Sequence, residues 1–150
     1  DFVHILQQQA VLNVMNKLLR AFLVPISILV FDQIFKFLAT KNLLPQVGSF
    51  FETISCNSGI AFSIQLPTSA FIVLWLLSIA VIVYLLKLEK NNLALLFILG
   101  GAISNIIDRI FDGCVTDYIT LLNIPTFNFA DVAITLGASW FVIRVLFSKK

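Results

Sequence analysis

Four long apolar segments constrain what this chain can fold into more than any other feature of its sequence. They cover about residues 18–38, 70–88, 93–110 and 130–147. A helix needs roughly 20 mostly apolar residues to cross the hydrocarbon core of a bilayer, and each segment has about that length. The sequence therefore predicts an all-α membrane protein with four transmembrane helices.

The amino-acid composition favours a membrane protein over a soluble one. Hydrophobic residues make up 59% of the 150 residues and charged residues only 12%, about half of the usual fraction in soluble domains. A packed core of this size could not bury so much apolar surface. The net charge of +2, with basic residues scattered along the chain, gives no indication of a nucleic-acid partner.

Basic residues beside the apolar segments predict the orientation, because cytoplasmic loops carry an excess of Lys and Arg. The flanking basic residues are Lys17 and Arg20 before the first segment, Lys87 and Lys90 between the second and third, and Lys149 and Lys150 after the fourth. All of them belong to one face, which we predict to be cytoplasmic and to hold both termini. The longer connections, residues 39–69 and 111–129, then lie outside.

The first fourteen residues are interpreted separately from the rest of the chain. They precede Met15, Asn16 and Lys17, which read like the natural start of a membrane protein. We therefore interpret residues 1–14 as an N-terminal extension or an expression remnant that forms a short interfacial helix. Residues 15–150 are then one four-span membrane domain.

The first outer connection is long for a loop without structure, so it is expected to carry structure or function. Residues 47–54 are rich in Phe, Thr, Val and Ile, and Gly48, Gly59 and Pro67 punctuate the region. This pattern predicts short strands. We interpret them as a small sheet that rests on the outer membrane surface.

Polar and ionisable side chains gather at the predicted outer ends of the spans. They are Asp32 and Lys36 in the first span, Asn57 in the outer connection, Asn105, Asp108 and Arg109 in the third span, Asp117 in the next connection, and Asn128 and Asp131 at the start of the fourth span. An ionisable residue at the middle of a spanning helix costs about 2.5–3.5 kcal/mol on insertion scales, so such residues usually have a function. Their convergence on one membrane level indicates a functional site.

Simpler structural interpretations remain open for some of these residues. Asp32 and Lys36 are four residues apart on a helix, so they can form an ordinary ion pair. Asn128 and Asp131 can cap the fourth helix, since both residue types favour a helix N-terminus. Capping does not explain Asp117, which lies in an apolar stretch where nothing local demands a carboxylate.

Two carboxylates at a partly desolvated interface have a specific chemical use. Like charges a few ångströms apart cannot both ionise cheaply, so Asp117 and Asp131 would share one proton. The ionised carboxylate can act as a general base and the protonated one as a general acid, and together they can activate water against an amide carbonyl. This is the arrangement of an aspartic protease.

Other hydrolytic chemistries fit the sequence poorly. A Cys–His pair would need a histidine beside Cys56 or Cys114, and the only histidine, His4, is predicted on the opposite face. Zinc needs three or four suitable ligands, and the chain has no HExxH or CxxC pattern. The two cysteines can form one disulfide if both face an oxidising compartment, but the sequence does not decide whether they pair.

Five sequence blocks, in order, resemble the lipoprotein signal peptidase (signal peptidase II) family across residues 15–147. The blocks are DQIFK at residues 32–36, NSGIAFS at 57–63, GGAISNIIDR at 100–109, VTDY at 115–118 and FNFAD at 127–131. The corresponding family patterns are D-Q-x-x-K, N-x-G-x-A-F-S, G-G-A-x-G-N-x-x-D-R, V-x-D-F/Y and F-N-x-A-D. Ser104 departs from the pattern, because the family usually has glycine there, and neither cysteine belongs to it.

The resemblance implies an aspartic endopeptidase that removes the signal peptide from diacylglyceryl-modified bacterial prolipoproteins by cutting before the lipidated cysteine. It implies Asp117 and Asp131 as the catalytic pair, without a metal or cofactor. The residues expected to bind substrate or shape the site are Asn57, Asn105, Arg109, Asn128, Asp32, Lys36 and Asp108, with Gly101 allowing close helix approach.

The resemblance also carries expectations about architecture and surroundings. It implies an extracytoplasmic β-cradle and a short helix between spans one and two. The protein would lie in the bacterial cytoplasmic (inner) membrane, among membrane lipid, with its active site at the outer face. It would be blocked by the inhibitor globomycin, and a monomer would suffice, since one chain holds all five blocks.

Two functions of other classes remain as alternatives. A small transporter would also carry intramembrane carboxylates, although they should then be distributed through the membrane depth. A non-enzymatic membrane scaffold would use the polar cluster to hold its helices together. In a scaffold, Asp→Asn changes should mainly lower stability.

Overall fold

Four helices and four short strands make up the part of the chain that the structure, a computed structural model, describes. The described residues are 2–45, 50, 54–59, 68–89, 92–121 and 124–147. In chain order the elements are α1 (Phe2–Thr40), β1 (Ser55–Asn57), α2 (Thr68–Leu88), α3 (Leu93–Phe111), β2 (Val115–Asp117), β3 (Ile119–Leu121), β4 (Ile124–Phe127) and α4 (Phe129–Phe147).

Three of the described helices are long and apolar enough to cross a membrane: His4–Thr40 within α1, Leu93–Phe111 and Phe129–Phe147. The apolar stretch of α2 at Val73–Leu88 is shorter than the length required for a candidate span. Large apolar side chains on α1, such as Phe22 and Phe37, are more than half exposed, as expected of a lipid-facing helix. The structure thus supports three of the four predicted spans, and the second stays a prediction.

The first helix is longer than the sequence analysis expected. It begins at Phe2 rather than near residue 18 and continues to Thr40 without interruption, including Pro25. Residues 2–14 are therefore a continuation of α1, and the expectation of a separate short helix there is wrong. Just after the helix, Asn42 has a left-handed backbone with φ 55°. The backbone N–H of Leu43 donates to the Leu38 carbonyl at 2.8 Å, as in a Schellman cap.

Glycine positions let α3 approach two other helices closely. A methyl group on Gly100 would lie 2.9 Å from the Pro25 carbonyl oxygen of α1. A methyl group on Gly101 would lie 2.4 Å from the Ala130 carbonyl oxygen of α4. Because neither distance is tolerable for a real side chain, the two glycines set the spacing on both sides of α3. Small residues at such contacts are typical of membrane helix pairs.

Two small antiparallel sheets lie between the helices in sequence. β1 pairs with β2, and β3 pairs with β4 with an irregularity between Ile119 and Leu121. A disulfide joins Cys56 of β1 to Cys114, which directly precedes β2, so the two cysteines do pair.

The strands differ in place from those that the sequence predicted. The strands expected at residues 47–54, the outer cradle and the short helix after it fall largely outside the described residues. The described strands lie mainly after α3, at residues 115–127, where the sequence analysis expected only a connection. The backbone N–H of Thr120 donates to the Phe50 carbonyl at 2.9 Å, which ties this region to the first outer connection.

Candidate active site

Asp117 ends β2, and only 1% of the residue is exposed. Its Oδ1 accepts a hydrogen bond from Asn128 Nδ2 at 2.7 Å, and its Oδ2 accepts one from Asn57 Nδ2 at 3.1 Å. The strand register explains the second contact, because β1 and β2 set Ser55 opposite Asp117 and Asn57 opposite Val115. Strand pairing therefore carries an asparagine from the outer connection to this carboxylate.

Asp131 lies in the first turn of α4. Its backbone N–H donates to Asn128 Oδ1 at 2.9 Å, and its own Oδ2 accepts from the backbone N–H of Asn128 at 3.3 Å. This reciprocal pair has the form of a capping box. Oδ1 of Asp131 accepts instead from Asn105 Nδ2 at 2.8 Å. Capping thus occupies one carboxylate oxygen and leaves the other directed to the polar cluster.

Three asparagine amides are held so that their NH2 groups face the two aspartates. Asn57 Oδ1 accepts from the backbone N–H of Gly59 at 3.0 Å, and Asn105 Oδ1 accepts from Lys36 Nζ at 3.0 Å. Asn128 Oδ1 accepts from a backbone N–H, as described above. Since an N–H or an ammonium group can only donate, each amide oxygen must point to it, and each NH2 group then points to a carboxylate.

Lys36 is the centre of a buried charge cluster. Its Nζ lies 2.7 Å from Asp32 Oδ2 and 2.8 Å from Asp108 Oδ2, in addition to its contact with Asn105. The three donors of the ammonium group are thereby used. All three charged side chains are at most 5% exposed, so removing Lys36 would leave two buried carboxylates without compensation, at a cost of about 3–5 kcal/mol. The simple ion pair considered for Asp32 and Lys36 exists, and it is part of this larger cluster.

The two acids of the cluster accept hydrogen bonds from backbone N–H groups that neighbour Asp131 and Asp117 in the chain. Asp32 Oδ1 accepts from the backbone N–H of Ala130 at 3.1 Å, one residue before Asp131. Asp108 Oδ2 accepts from the backbone N–H of Thr116 at 3.1 Å, one residue before Asp117. The buried charges of α1 and α3 therefore fix both segments that carry the candidate catalytic pair.

Both aspartates line one cavity of about 650 Å³. Asn57, Asn105 and Arg109 line it as well, together with apolar side chains of α2, α3, α4 and β4. The Arg109 guanidinium donates to the backbone carbonyl of Gly59, and its charge interacts with Asp117 and Asp131. The cavity thus combines an apolar wall with two acids and one cation at its polar end.

Burial raises the pKa of Asp117 from its ordinary value of 3.8 to about 6. The hydrogen bond from Asn57 lowers this pKa, the negative charge of Asp131 raises it, and the Asn128 hydrogen bond and the Lys36 charge lower it. Burial outweighs the stabilising groups, so this carboxyl group keeps a proton at a pH where an exposed aspartate has lost it.

The polar residues that the sequence analysis singled out lie together at this end of the helices. Gly101 differs from them, because it lies at the α3–α4 contact against Ala130 and can act on the site only through packing. Its neighbour in the structure, Ala130, directly precedes Asp131 in the chain.

Three residues of the network were not predicted to be site residues. Gln33 Nε2 donates to Asp108 Oδ1 at 2.7 Å, Tyr118 donates its hydroxyl to Asp32 Oδ1 at 3.1 Å, and Ser104 also contacts Asp32. Gln33 and Tyr118 lie within the sequence blocks that resemble the family, and Ser104 was noted only as a departure from one of them. Tyr118 is fully buried, and burial together with the Asp32 charge raises the pKa of its hydroxyl.

Comparison with known proteins identifies relatives over most of the chain. Residues 24–147 match the family model described as signal peptidase (SPase) II. A curated lipoprotein signal peptidase of Brevibacillus brevis is 34% identical, over 86% of this chain and 96% of the relative. Another, of Francisella tularensis subsp. novicida, is 33% identical over 93% of this chain and 99% of the relative.

Solved structures share the fold. One, described as a bacterial membrane enzyme, superposes with a TM-score of 0.75 and 24% identity, over 87% of this chain and 91% of that chain. A second with the same description gives a TM-score of 0.73, over 86% and 94% of the two chains. The helices long and apolar enough to cross a membrane, together with the family match over residues 24–147, make the chain an integral membrane protein.

Proposed function

The chain belongs to the signal peptidase (SPase) II family, and as an aspartic peptidase of that family it removes signal peptides from lipoproteins; we propose that Asp117 and Asp131 are its catalytic pair. One observation carries the proposal. Both carboxylates line the same cavity, and each accepts a hydrogen bond from an asparagine NH2 group. The orientation of each amide is fixed because its oxygen accepts from Lys36 or from a backbone N–H.

The proposed reaction is the hydrolysis of one peptide bond by an activated water. The ionised member of the pair removes a proton from the water as it attacks the scissile carbonyl, and the protonated member donates to the carbonyl oxygen or the leaving nitrogen. The raised pKa of Asp117 favours Asp117 as the member that holds the proton. Arg109 supplies positive charge in the same cavity, where the transition state develops negative charge on oxygen.

The proposed substrate is a prolipoprotein that carries a diacylglyceryl group on the cysteine after the cleavage site. Its acyl chains stay in the bilayer, which holds the scissile bond just above the hydrocarbon. Asp117 and Asp131 lie at one end of the helices, where they can meet a bond at that depth. The apolar wall of the cavity, including Trp75 and Ile98, would accept the apolar signal-peptide helix and the acyl chains.

We also propose the finer arrangement in the membrane. The chain has four spans with α2 as the second, residues 15–150 form its membrane domain, and both termini face the cytoplasm. The site then lies at the outer face of the bacterial cytoplasmic membrane. Further parts of the proposal are an outer cradle over residues 39–69, action as a monomer, no cofactor, and inhibition by globomycin.

Cleavage by purified protein tests the catalytic pair. The wild type is compared with Asp117→Asn and Asp131→Asn on a diacylglyceryl-modified prolipoprotein. Asp112→Asn is the matched control, because Asp112 is an exposed acid in the turn after α3. We expect the wild type and the control to cut, and each active-site variant to lose at least about a thousandfold in kcat.

The same comparison separates the rival functions. Neither a transporter nor a non-enzymatic scaffold would cut the substrate at all, and in a scaffold the Asp→Asn changes would mainly lower stability. Near-normal cleavage by either folded variant would show that the catalytic pair is assigned wrongly.

A further inference from the structure

Ser104 is a fully buried polar residue in the middle of the network, on α3. Its hydroxyl donates to Asp32 Oδ2 at 2.7 Å, across 72 residues of sequence. A helical serine commonly bonds to a carbonyl of its own helix, one turn back. Ser104 bonds instead to a carboxylate of another helix, at the position where the family pattern has glycine.

The direction of this hydrogen bond follows from Asp32, because a carboxylate that is paired with the Lys36 ammonium group can only accept. One proton of the Gln33 amide goes to Asp108, and the other is shared between Ser104 Oγ at 3.1 Å and the Ser104 carbonyl at 3.2 Å. A hydroxyl that accepts from an amide has one proton left to give, and here that proton goes to Asp32. The serine therefore adds a donor to the Asp32 carboxylate.

Asp32 uses its two oxygens for different purposes. Oδ2 accepts from Ser104 and pairs with Lys36. Oδ1 accepts from the Tyr118 hydroxyl and from the backbone N–H of Ala130, both at 3.1 Å. A rotation of the carboxylate would weaken both Oδ1 contacts at once, because the two oxygens turn together.

The Oδ1 contacts lead directly to the catalytic pair. Tyr118 follows Asp117 in the chain, and Ala130 precedes Asp131. We propose that Ser104 is a positioning residue, whose hydroxyl locks the Asp32 carboxylate in the orientation that holds both catalytic aspartates in place. This inference rests on the proposed function of Asp117 and Asp131.

Three variants test the role of the hydroxyl in the purified, full-length protein. Ser104→Ala keeps the Cβ and removes the donor. Ser104→Gly removes the whole side chain, which leaves about the volume of one water molecule beside polar partners that can hold it. Ser139→Ala is the matched control, since Ser139 is an exposed serine on α4.

We expect kcat to fall about tenfold in Ser104→Ala, the usual effect of losing one hydrogen bond to a charged group. KM for the lipidated prolipoprotein should stay within twofold of the wild type, because Ser104 does not line the cavity. Ser104→Gly should lie between the wild type and Ser104→Ala, since water can replace the donor. Ser139→Ala should match the wild type.

A second readout does not depend on catalysis. Hydrogen exchange of the Ala130 amide should become faster in Ser104→Ala and remain unchanged in Ser139→Ala, because this amide donates to Asp32. If the wild type fails to cut the substrate, the proposed function is wrong, and the exchange rate alone decides the role of Ser104.

Several results would overturn the role of Ser104 even if the wild type is active. One is a kcat for Ser104→Ala within twofold of the wild type, with an unchanged Ala130 exchange rate. Another is a Ser104→Gly variant less active than Ser104→Ala, which would assign the effect to side-chain volume. A loss that appears only as a higher KM would also contradict a positioning role.

Discussion

Asn128 shows at the residue scale how one side chain can serve stability and chemistry together. Its Oδ1 accepts from the backbone N–H of Asp131 at the start of α4, and its Nδ2 donates to Asp117 Oδ1. The same amide thus anchors a helix and orients a carboxylate. Substitutions that keep one of these contacts and remove the other can separate the two roles.

Asn128→Ser and Asn128→Ala make this separation. Serine can still cap α4, whereas alanine cannot, and losing such a cap costs about 1 kcal/mol. Both variants lose the donor to Asp117. We therefore expect both to lose at least about tenfold in kcat, and only Asn128→Ala to show a clearly lower thermal midpoint. Equal midpoints for the two variants would contradict the capping role, and full activity of Asn128→Ser would contradict the orienting role.

The raised pKa of Asp117 predicts a pH effect on stability. Between its ordinary pKa of 3.8 and the folded value of about 6, the folded state keeps a proton that the unfolded state has released. The contribution of Asp117 to stability therefore falls as pH rises through this window. Asn cannot ionise, so the stability of Asp117→Asn relative to the wild type should increase from pH 4 to pH 7.

Thermal unfolding of both proteins at pH 4 and pH 7, in the same detergent, measures this difference. The comparison removes the contribution of other titrating groups, because they are present in both proteins. A constant difference between wild type and variant across the window would mean that the pKa of Asp117 is near its ordinary value.

The β1–β2 pair and its disulfide are the element that couples the outer connection to the site. Cys56 directly precedes Asn57, whose amide donates to Asp117, and Cys114 directly precedes β2. The bridge spans 58 residues, so it fastens β1 to β2 regardless of how the chain between them moves. Asn57 is thereby kept within reach of the carboxylate.

Removing the disulfide should therefore lower both stability and activity. A loop of this length corresponds to about 4 kcal/mol in the loop-entropy description. We expect the double variant Cys56→Ser and Cys114→Ser to unfold at a lower temperature and to lose several-fold in kcat. A reductant should slow the wild type and leave the double variant unaffected. Equal sensitivity of both proteins to reductant would exclude the bridge as the cause.

The helices were predictable from sequence, because long apolar runs between basic clusters determine them locally. Three of the predicted spans correspond to α1, α3 and α4, with bounds differing by one or two residues except at the start of α1. The extent of α1 was not predictable, since residues 2–14 lack the strong apolar pattern of a span but readily continue a helix. Helix propensity rather than membrane burial accounts for that part.

The strands and the disulfide were harder to predict. β1 and β2 have three residues each, too few to show an alternating pattern, and their pairing joins segments far apart in the chain. Cysteine spacing alone does not define a bridge between two residues. The polar cluster was predictable because its charges are expensive in a membrane, whereas the neutral contacts of Gln33 and Ser104 carry no such signal.

At the scale of the whole molecule, the charge distribution predicts a single orientation. In the sequence, basic residues flank one set of ends of the predicted spans, and the polar cluster belongs to the opposite set of ends. A fluorescent reporter that folds only in the cytoplasm should fluoresce when fused to the C-terminus. A phosphatase that is active only outside should be active when inserted after Gly113. The opposite pattern would place the site at the cytoplasmic face.

The buried charge cluster has a consequence for how the protein is made. Asp32 and Lys36 are one helical turn apart on α1 and pair with each other, so α1 can enter the bilayer with these two charges already paired. Asp108 arrives later with α3 and adds a second acid to the same ammonium group. Lys36 thus serves both as the ion-pair partner of an acid in its own helix and as a buried contact that holds α3 against α1.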